Sequence, residues 1–350
     1  MNTPGKMSWY AGQLRRELGV RNRRFARGRA HVESYGNPPV IVYAPEEGRH
    51  GNFFGAAYTA ISASPEWMKR FDKIHAQGAR SLPKSETVRR WRELDSSMSS
   101  DALLMNVFCT PGVVESKAVR NALGVEDGAA PVFGWKARAP LANGRFDRTE
   151  VDMRLGSLLV EAKLTEGDFQ TREAKIVEAY RDFDVVFERE MLPRVEIATK
   201  RRKEPSEFPE DYSQEAEEVA SPDELERACL HGFAAQSRLL LPGGWLRAEP
   251  SGESGYASYQ LIRNVLAAYA NECRFCVVHD ERRPDLKEAW FQVMAAVKIA
   301  EMRVRCAVLT WQELAALAPE ELQLFLDVKY GIVAPGEIPS PPEETSESNP

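Results

Sequence analysis

Residues 148 to 164, RTEVDMRLGSLLVEAKL, place acids and a lysine at spacings that could hold a divalent cation. Gly156-Ser157 reads as a two-residue turn of the kind that needs glycine at its first position. Folding the chain about that turn sets Leu155 against Leu158, Met153 against Val160, Asp152 against Glu161 and Glu150 against Lys163. Side chains on strands alternate with period two, so these four charged residues are expected on one face. Directly opposed residues lie roughly 4.5–5.5 Å apart at Cβ, and like charges there destabilise the pair. Asp152 facing Glu161 therefore calls for a cation, and oxygen ligands at that spacing suit Mg²⁺ or Mn²⁺. The apolar residues interleaved with these charges are those of a buried strand pair, where unpaired acids are costly. The ordinary alternative is a surface hairpin with a Glu150–Lys163 salt bridge.

Asp152 followed by Glu161-Ala162-Lys163 resembles the core motif of the PD-(D/E)xK nuclease superfamily, with Val151 standing where the motif's proline would be. The wider text also resembles a family of uncharacterised bacterial restriction endonucleases. The similar segments are WRELDSSMSSDALLMNVF, RTEVDMRLGSLLVEAKLTEGDFQ, YQLIRNVLAAY and RRPDLKEAWFQVMAAV with VRCAVLTWQELA. The resemblance implies metal-dependent hydrolysis of phosphodiester bonds, in DNA in the first instance, as part of restriction or phage defence. Asp152 and Glu161 would hold Mg²⁺ or Mn²⁺, and Lys163 would position water or steady the transition state. Glu150 would be a partner of Lys163 or a further ligand. Gln260 corresponds to a glutamine that relatives carry on the helix after the lysine strand, with Gln170 competing for that role; Glu93 and Asp101 are candidate extra acids. The competing reading is a catalytically inactive nuclease-fold module for DNA binding or assembly, but such a module is expected to have lost an acid or the lysine.

Charge and cysteine usage narrow the class further. The chain of 350 residues carries a formal net charge of −6, with basic residues concentrated at one end. Residues 1–32 hold Lys6 and seven arginines against the single acid Glu17. Attraction to polyanions depends on such local charge rather than on net charge, so residues 1–47 read as a basic arm. Arg89, Arg90 and Arg92, interrupted by Trp91, form a second basic stretch able to track phosphates. Arg263 lies three residues after Gln260 on one helix face, so both can reach one surface. Nucleic acid is the expected partner, and a homodimer is compatible with the sequence. Five scattered cysteines argue for reduced thiols and a cytoplasmic protein. Cys273 and Cys276 lack a second pair at zinc spacing and read as packing residues. No apolar run is long enough for a membrane span.

The elements that must position the hairpin follow from periodicity and punctuation. Helices are expected near 64–77, 85–95 and 100–109, the last capped by Ser99 or Ser100. A strand near 131–140 precedes the hairpin, and a long helix is expected from 170 to 191. Residues 196–225 read as a polar insert and 336–350 as a disordered tail. A helix near 257–271, a strand at 274–280, a helix at 285–301, a strand at 304–310 and a closing helix pair complete the chain. The expected class is α/β, a mixed sheet flanked by helices with a restriction-endonuclease-like PD-(D/E)xK core over residues 48–335.

Overall fold

The computed structural model describes residues 8–74, 92–197 and 253–336. Strands β3 (Pro131–Lys136), β4 (Glu150–Leu155) and β5 (Leu158–Ala162) form an antiparallel meander. Strands β9 (Arg274–His279) and β10 (Cys306–Thr310) then join β5 in parallel, giving the spatial order β10-β9-β5-β4-β3. The sheet is mixed because β3, β4 and β5 follow one another directly as antiparallel neighbours, whereas helices lead into β9 and β10. The hairpin register is the expected one: Leu155 pairs with Leu158 and Met153 with Val160. Gly156 opens the turn at φ +59°, which a side chain would strain.

Helices cover both faces. On one face α6 (Tyr259–Ala270) and α7 (Pro284–Ala296) bury Ile262, Val265, Trp290 and Val293 against Leu159, Phe275 and Val277. On the other, α4 (Ser100–Phe108) contributes Leu103, Leu104 and Val107 against Met153, Val160 and Val278. Ser99 caps α4 by accepting the Ala102 N–H, an interaction typically worth about 1 kcal/mol. The same face carries α1 (Trp9–Phe25) and, from the C-terminal end, α9 (Trp311–Ala315) and α10 (Glu320–Tyr330). Helices α2 (Gly55–Ala63) and α3 (Pro65–Phe71) pack on the Ala102–Met105 side of α4. Two short connecting helices, α5 (Lys117–Leu123) and α8 (Ala300–Arg305), complete the set.

Three expectations need correction. Residues 170–191 do not form one helix: a strand β6 (Arg172–Glu173) is followed by the short helices Ala174–Val177 and Phe183–Val186. Tyr180 pairs with Leu141 across the break, and its hydroxyl donates to Asp147, so tertiary pairing overrides helix propensity. The polar insert begins later than residue 196, because Glu196 and Ile197 close strand β7 (Arg194–Ile197), paired with β8 (Glu253–Tyr256). The rest of the insert, most of the expected 85–95 helix and the tail beyond residue 336 lie outside the described residues. The basic arm is largely built into the fold rather than free: Leu14 and Leu18 of α1 sit in the core, and residues 31–33 and 41–43 pair as strands β1 and β2.

Lys329 shows how firmly that N-terminal layer is held. Its ammonium is fully buried, donates to Asn22 Oδ1 at 3.1 Å and lies 4.1 Å from the Tyr330 ring centroid and 5.3 Å from that of Tyr43. Burial first, and then Arg29, hold its pKa well below the usual lysine value. The unfolded chain therefore binds this proton more readily, so stability rises with pH between the folded pKa and about 10.4. Tyr43 also donates to Asn22 Oδ1, so Lys329→Met leaves no acceptor unpaired. The variant is expected to gain more than about 1 kcal/mol of unfolding free energy at pH 7. Denaturant titrations at pH 7 and pH 9.5 check it: the gain should shrink at the higher pH.

Candidate active site

The site arises where β4 and β5 part. Their paired register ends at Met153–Val160, and β5 continues as the parallel partner of β9, with Glu161 beside Val277 and Ala162 beside Val278. Into the gap goes the Asp152 carboxylate, whose Oδ2 accepts the Ala162 N–H at 2.7 Å and replaces the missing backbone partner. Strand alternation breaks at the same place. Met153 packs with α4, whereas Val151 packs with the α6 side. In β3, Gly134 adopts φ +63° between the pairs Phe133–Met153 and Trp135–Val151, a conformation suited to glycine that lets the strand kink.

Glu161 is 1% exposed and fully engaged. Lys163 Nζ donates to its Oε1 at 2.6 Å, Asn264 Nδ2 donates to its Oε2 at 2.7 Å, and Arg263 Nη2 stands 3.8 Å from Oε2. Burial alone would raise the Glu161 pKa, but Lys163 and Arg263 outweigh it and hold the carboxyl below its ordinary value. Burial would likewise depress Lys163, yet Glu161 and Asp152 keep its ammonium charged, with the pKa raised. Asp152 goes the other way: burial, then Glu161 and Asp101, push its carboxyl well above the usual range despite Lys163 and the Ala162 N–H. The pair thus has one acid already balanced and one under-neutralised.

A second ring of groups fixes the lysine. After β5 the Lys163 N–H bonds to the Val278 carbonyl, and the Lys163 carbonyl accepts Trp311 Nε1–H at 2.9 Å. Fully buried Arg283 donates to the carbonyls of Leu164, Glu166 and Gly167, tying down the loop that follows. Ser100, at the start of α4, donates to Glu166 Oε1 at 2.6 Å, and Arg15 of α1 donates to the Thr165 carbonyl at 3.1 Å.

The other expected site residues distribute unevenly. Glu150 does not face Lys163, because the paired register stops before it; its Oε2 is 3.6 Å from Arg70 Nη1 and 3.5 Å from Lys73 Nζ instead. Arg70 also pairs with Asp101 and Glu93, so an acidic patch beside Asp152 carries its own cations. Gln260 donates its backbone N–H to the Phe169 carbonyl, and its side chain makes no hydrogen bond to Asp152, Glu161 or Lys163 among the described residues. Asn264, one helical turn later, reaches Glu161. Gln170 shapes the same junction through its backbone, its carbonyl accepting the Tyr259 N–H. Arg263 is buried and bound to Glu161 and the Glu150 carbonyl, so it serves the carboxylate rather than an open nucleic-acid surface. Arg92 pairs with Asp72 at 3.1 Å and lies over the Phe71 ring; Arg89 and Arg90 fall outside the described residues.

The donor set fits a hard divalent cation only in part from protein. Among the described residues no three His, Cys, Asp or Glu side chains gather into a cation cage. Mg²⁺ commonly takes one or two carboxylates and completes its shell with water and substrate oxygens, which Asp152 and Glu161 can provide for. The under-neutralised Asp152 carboxyl is the feature that a cation would relieve.

A family model described as Restriction Endonuclease associating with ARP matches residues 21–331. The chain belongs to that family. No curated relative and no solved structure matches it. The match spans the meander, the helices on both faces and every residue of the Asp152–Glu161–Lys163 cluster. No helix among the described residues is long and apolar enough to cross a membrane.

The electrostatic asymmetry is testable without any activity. A carboxyl whose pKa is raised by folding keeps its proton more tightly in the folded state, so stability falls as pH climbs from about 3.9 through the folded value. Asp152→Asn retains an oxygen for the Ala162 N–H and removes that fall. The variant is expected to be more stable than wild type by about 1 kcal/mol at pH 7 in EDTA, converging below about pH 4. Unfolding curves across that range would show it, and equal stability at pH 7 would contradict the assignment.

Proposed function

We propose that this chain is a metal-dependent endonuclease of the PD-(D/E)xK type acting on DNA, working with Mg²⁺ or Mn²⁺ in bacterial restriction or phage defence. The observation that carries the reading is the convergence of Asp152, Glu161 and Lys163 at the parting of β4 and β5, inside a member of a restriction-endonuclease family. Asp152 and Glu161 would hold the cation, which supplies Lewis-acid activation of water and of the phosphodiester. A bound cation would favour the ionised form of Asp152, whose carboxyl pKa is raised, so metal affinity should rise with pH. Lys163 keeps one N–H on Glu161 and has further N–H donors for a phosphate oxygen or the attacking water. Asn264 and Arg263 hold Glu161 in one orientation, so neither carboxylate oxygen turns away from the site. The retained acids and lysine favour an enzyme over an inactive assembly module. The family description names an association with ARP, and a partner of that kind belongs to the same reading.

The test uses purified protein on plasmid, single-stranded DNA and RNA with Mg²⁺, Mn²⁺ or EDTA. Plasmid cleavage is expected with either metal and none with EDTA. Asp152→Asn, Glu161→Gln and Lys163→Met should each lower turnover by at least about 100-fold while remaining folded. Mg²⁺ should raise the melting temperature of wild type and leave that of Asp152→Asn nearly unmoved. Cleavage that persists in Asp152→Asn would refute the assignment of this centre.

A further inference from the structure

We propose that the outward face of α1 is a binding surface for the phosphate backbone of duplex DNA, built rigidly beside the candidate active site. Resting on the nuclease reading only for the choice of polyanion, it starts from how the arginines of this segment divide. Arg15, Arg21 and Arg29 serve the fold: Arg15 holds the Thr165 carbonyl, Arg21 the Asp327 carbonyl and Arg29 the Phe25 carbonyl and ring. Arg16, Arg23, Arg24 and Arg27 point outward and are exposed. Among the described residues, Arg16, Arg24 and Arg27 form no ion pair, and Arg23 reaches only Glu33, at 4.0 Å. Glu17, the one acid of α1, is taken up by Arg21 and Arg282.

Such a face is self-repelling. Arg23, Arg24 and Arg27 crowd three like charges into the last turn and the residues just after it, with no acid among them. The helix dipole welcomes Arg23 and Arg24 in the last turn but not Arg16 near the middle. Arg16 and Arg23 lie seven residues apart, so they share one face about 10 Å apart, close to the width of the B-DNA major groove, about 12 Å. A lipid surface would have to use the exposed Trp9, Tyr10 and Val20, and it fits less well because Leu14 and Leu18, the continuous apolar side of the helix, are already buried in the core.

Position adds the second strand of the argument. Arg15 binds the carbonyl of Thr165, two residues beyond Lys163, and Glu17 binds Arg282, which in turn holds Asp280 at the end of β9. The basic face is therefore fixed to the loop that carries the lysine. DNA held on it would lie beside the Thr165 end of that loop without any ordering of a flexible tail.

The measurement is fluorescence anisotropy of a labelled 30-base-pair duplex in EDTA, from 50 to 200 mM KCl, with the full chain. The variant R16Q/R23Q/R24Q/R27Q keeps good helix formers and removes four charges. Its log K against log salt slope should be shallower by roughly 3 to 4, at about 0.9 per lost phosphate contact. Affinity at 50 mM KCl should drop at least about tenfold. The all-lysine counterpart should keep most of the slope, and circular dichroism and melting temperature confirm that both variants fold. An unchanged slope in the folded glutamine variant overturns the proposal, as does wild-type binding to phosphatidylserine vesicles without binding to the duplex. Wild-type cleavage of the same duplex with Mg²⁺ separates the two readings. Absent cleavage beside a lost slope removes the nuclease assignment and leaves this surface standing; cleavage beside an unchanged slope does the reverse.

Discussion

Everything at the candidate site depends on β5 having two different neighbours. It is antiparallel to β4 on one edge, through Leu158–Val160 only, and parallel to β9 on the other edge along its whole length, Leu158–Ala162. A strand cannot keep an antiparallel partner on one edge while that partner veers off, so an N–H must go unpaired or find a side chain. Ala162 finds the Asp152 carboxylate. One hydrogen bond thus satisfies the sheet and delivers an acid to Glu161 and Lys163. The chemistry and the topology are the same event.

The price of that arrangement is electrostatic, and the structure distributes it unequally. Glu161 receives a lysine, an asparagine and an arginine, while Asp152 shares the field of that lysine and otherwise has a backbone amide and two neighbouring acids. Spreading the cations evenly would have made a stable buried network with no affinity for anything further. Concentrating them on Glu161 leaves Asp152 as the carboxyl whose ionised form is disfavoured. Arg70 and Lys73 reinforce the division: they neutralise Glu93, Asp101 and Glu150 and so confine the unbalanced charge to one position.

How much of this could be read from the amino acids varies with the range of the interaction. The hairpin register was legible, because a glycine turn and period-two alternation are local. The parallel strands and their covering helices were legible for the same reason, as apolar runs bounded by caps. Local patterns in the hairpin could not show that the alternation would break at Asp152, where β4 leaves β5 and Gly134 of β3, at φ +63°, interrupts the neighbouring pairing. The pairing of Glu150 was misjudged on that account. Asn264 carried a faint signal, a polar residue beside Arg263 in the otherwise apolar turn LIRNVL; Arg70 carried none, because its relevance comes only from α3 docking on the meander. Residues 170–191 misled through their composition: helix-forming residues there yield to the Tyr180–Leu141 pairing.

The N-terminal segment illustrates the same limit from the other side. Its composition looks like that of a solvated leader, since seven arginines against one acid seem to need water. Yet Leu14 and Leu18 recur at helical spacing and carry the segment into the core, and three of the arginines become internal donors to carbonyls. A guanidinium can do this because its planar fork satisfies backbone oxygens while remaining charged. Arg283 does the same for the loop after Lys163, where three carbonyls converge on one side chain. A loop stapled in this way is held at three carbonyls and has little freedom to move. Lys163 is therefore presented at a fixed place, and the one group of the cluster left electrostatically unbalanced is the carboxyl of Asp152.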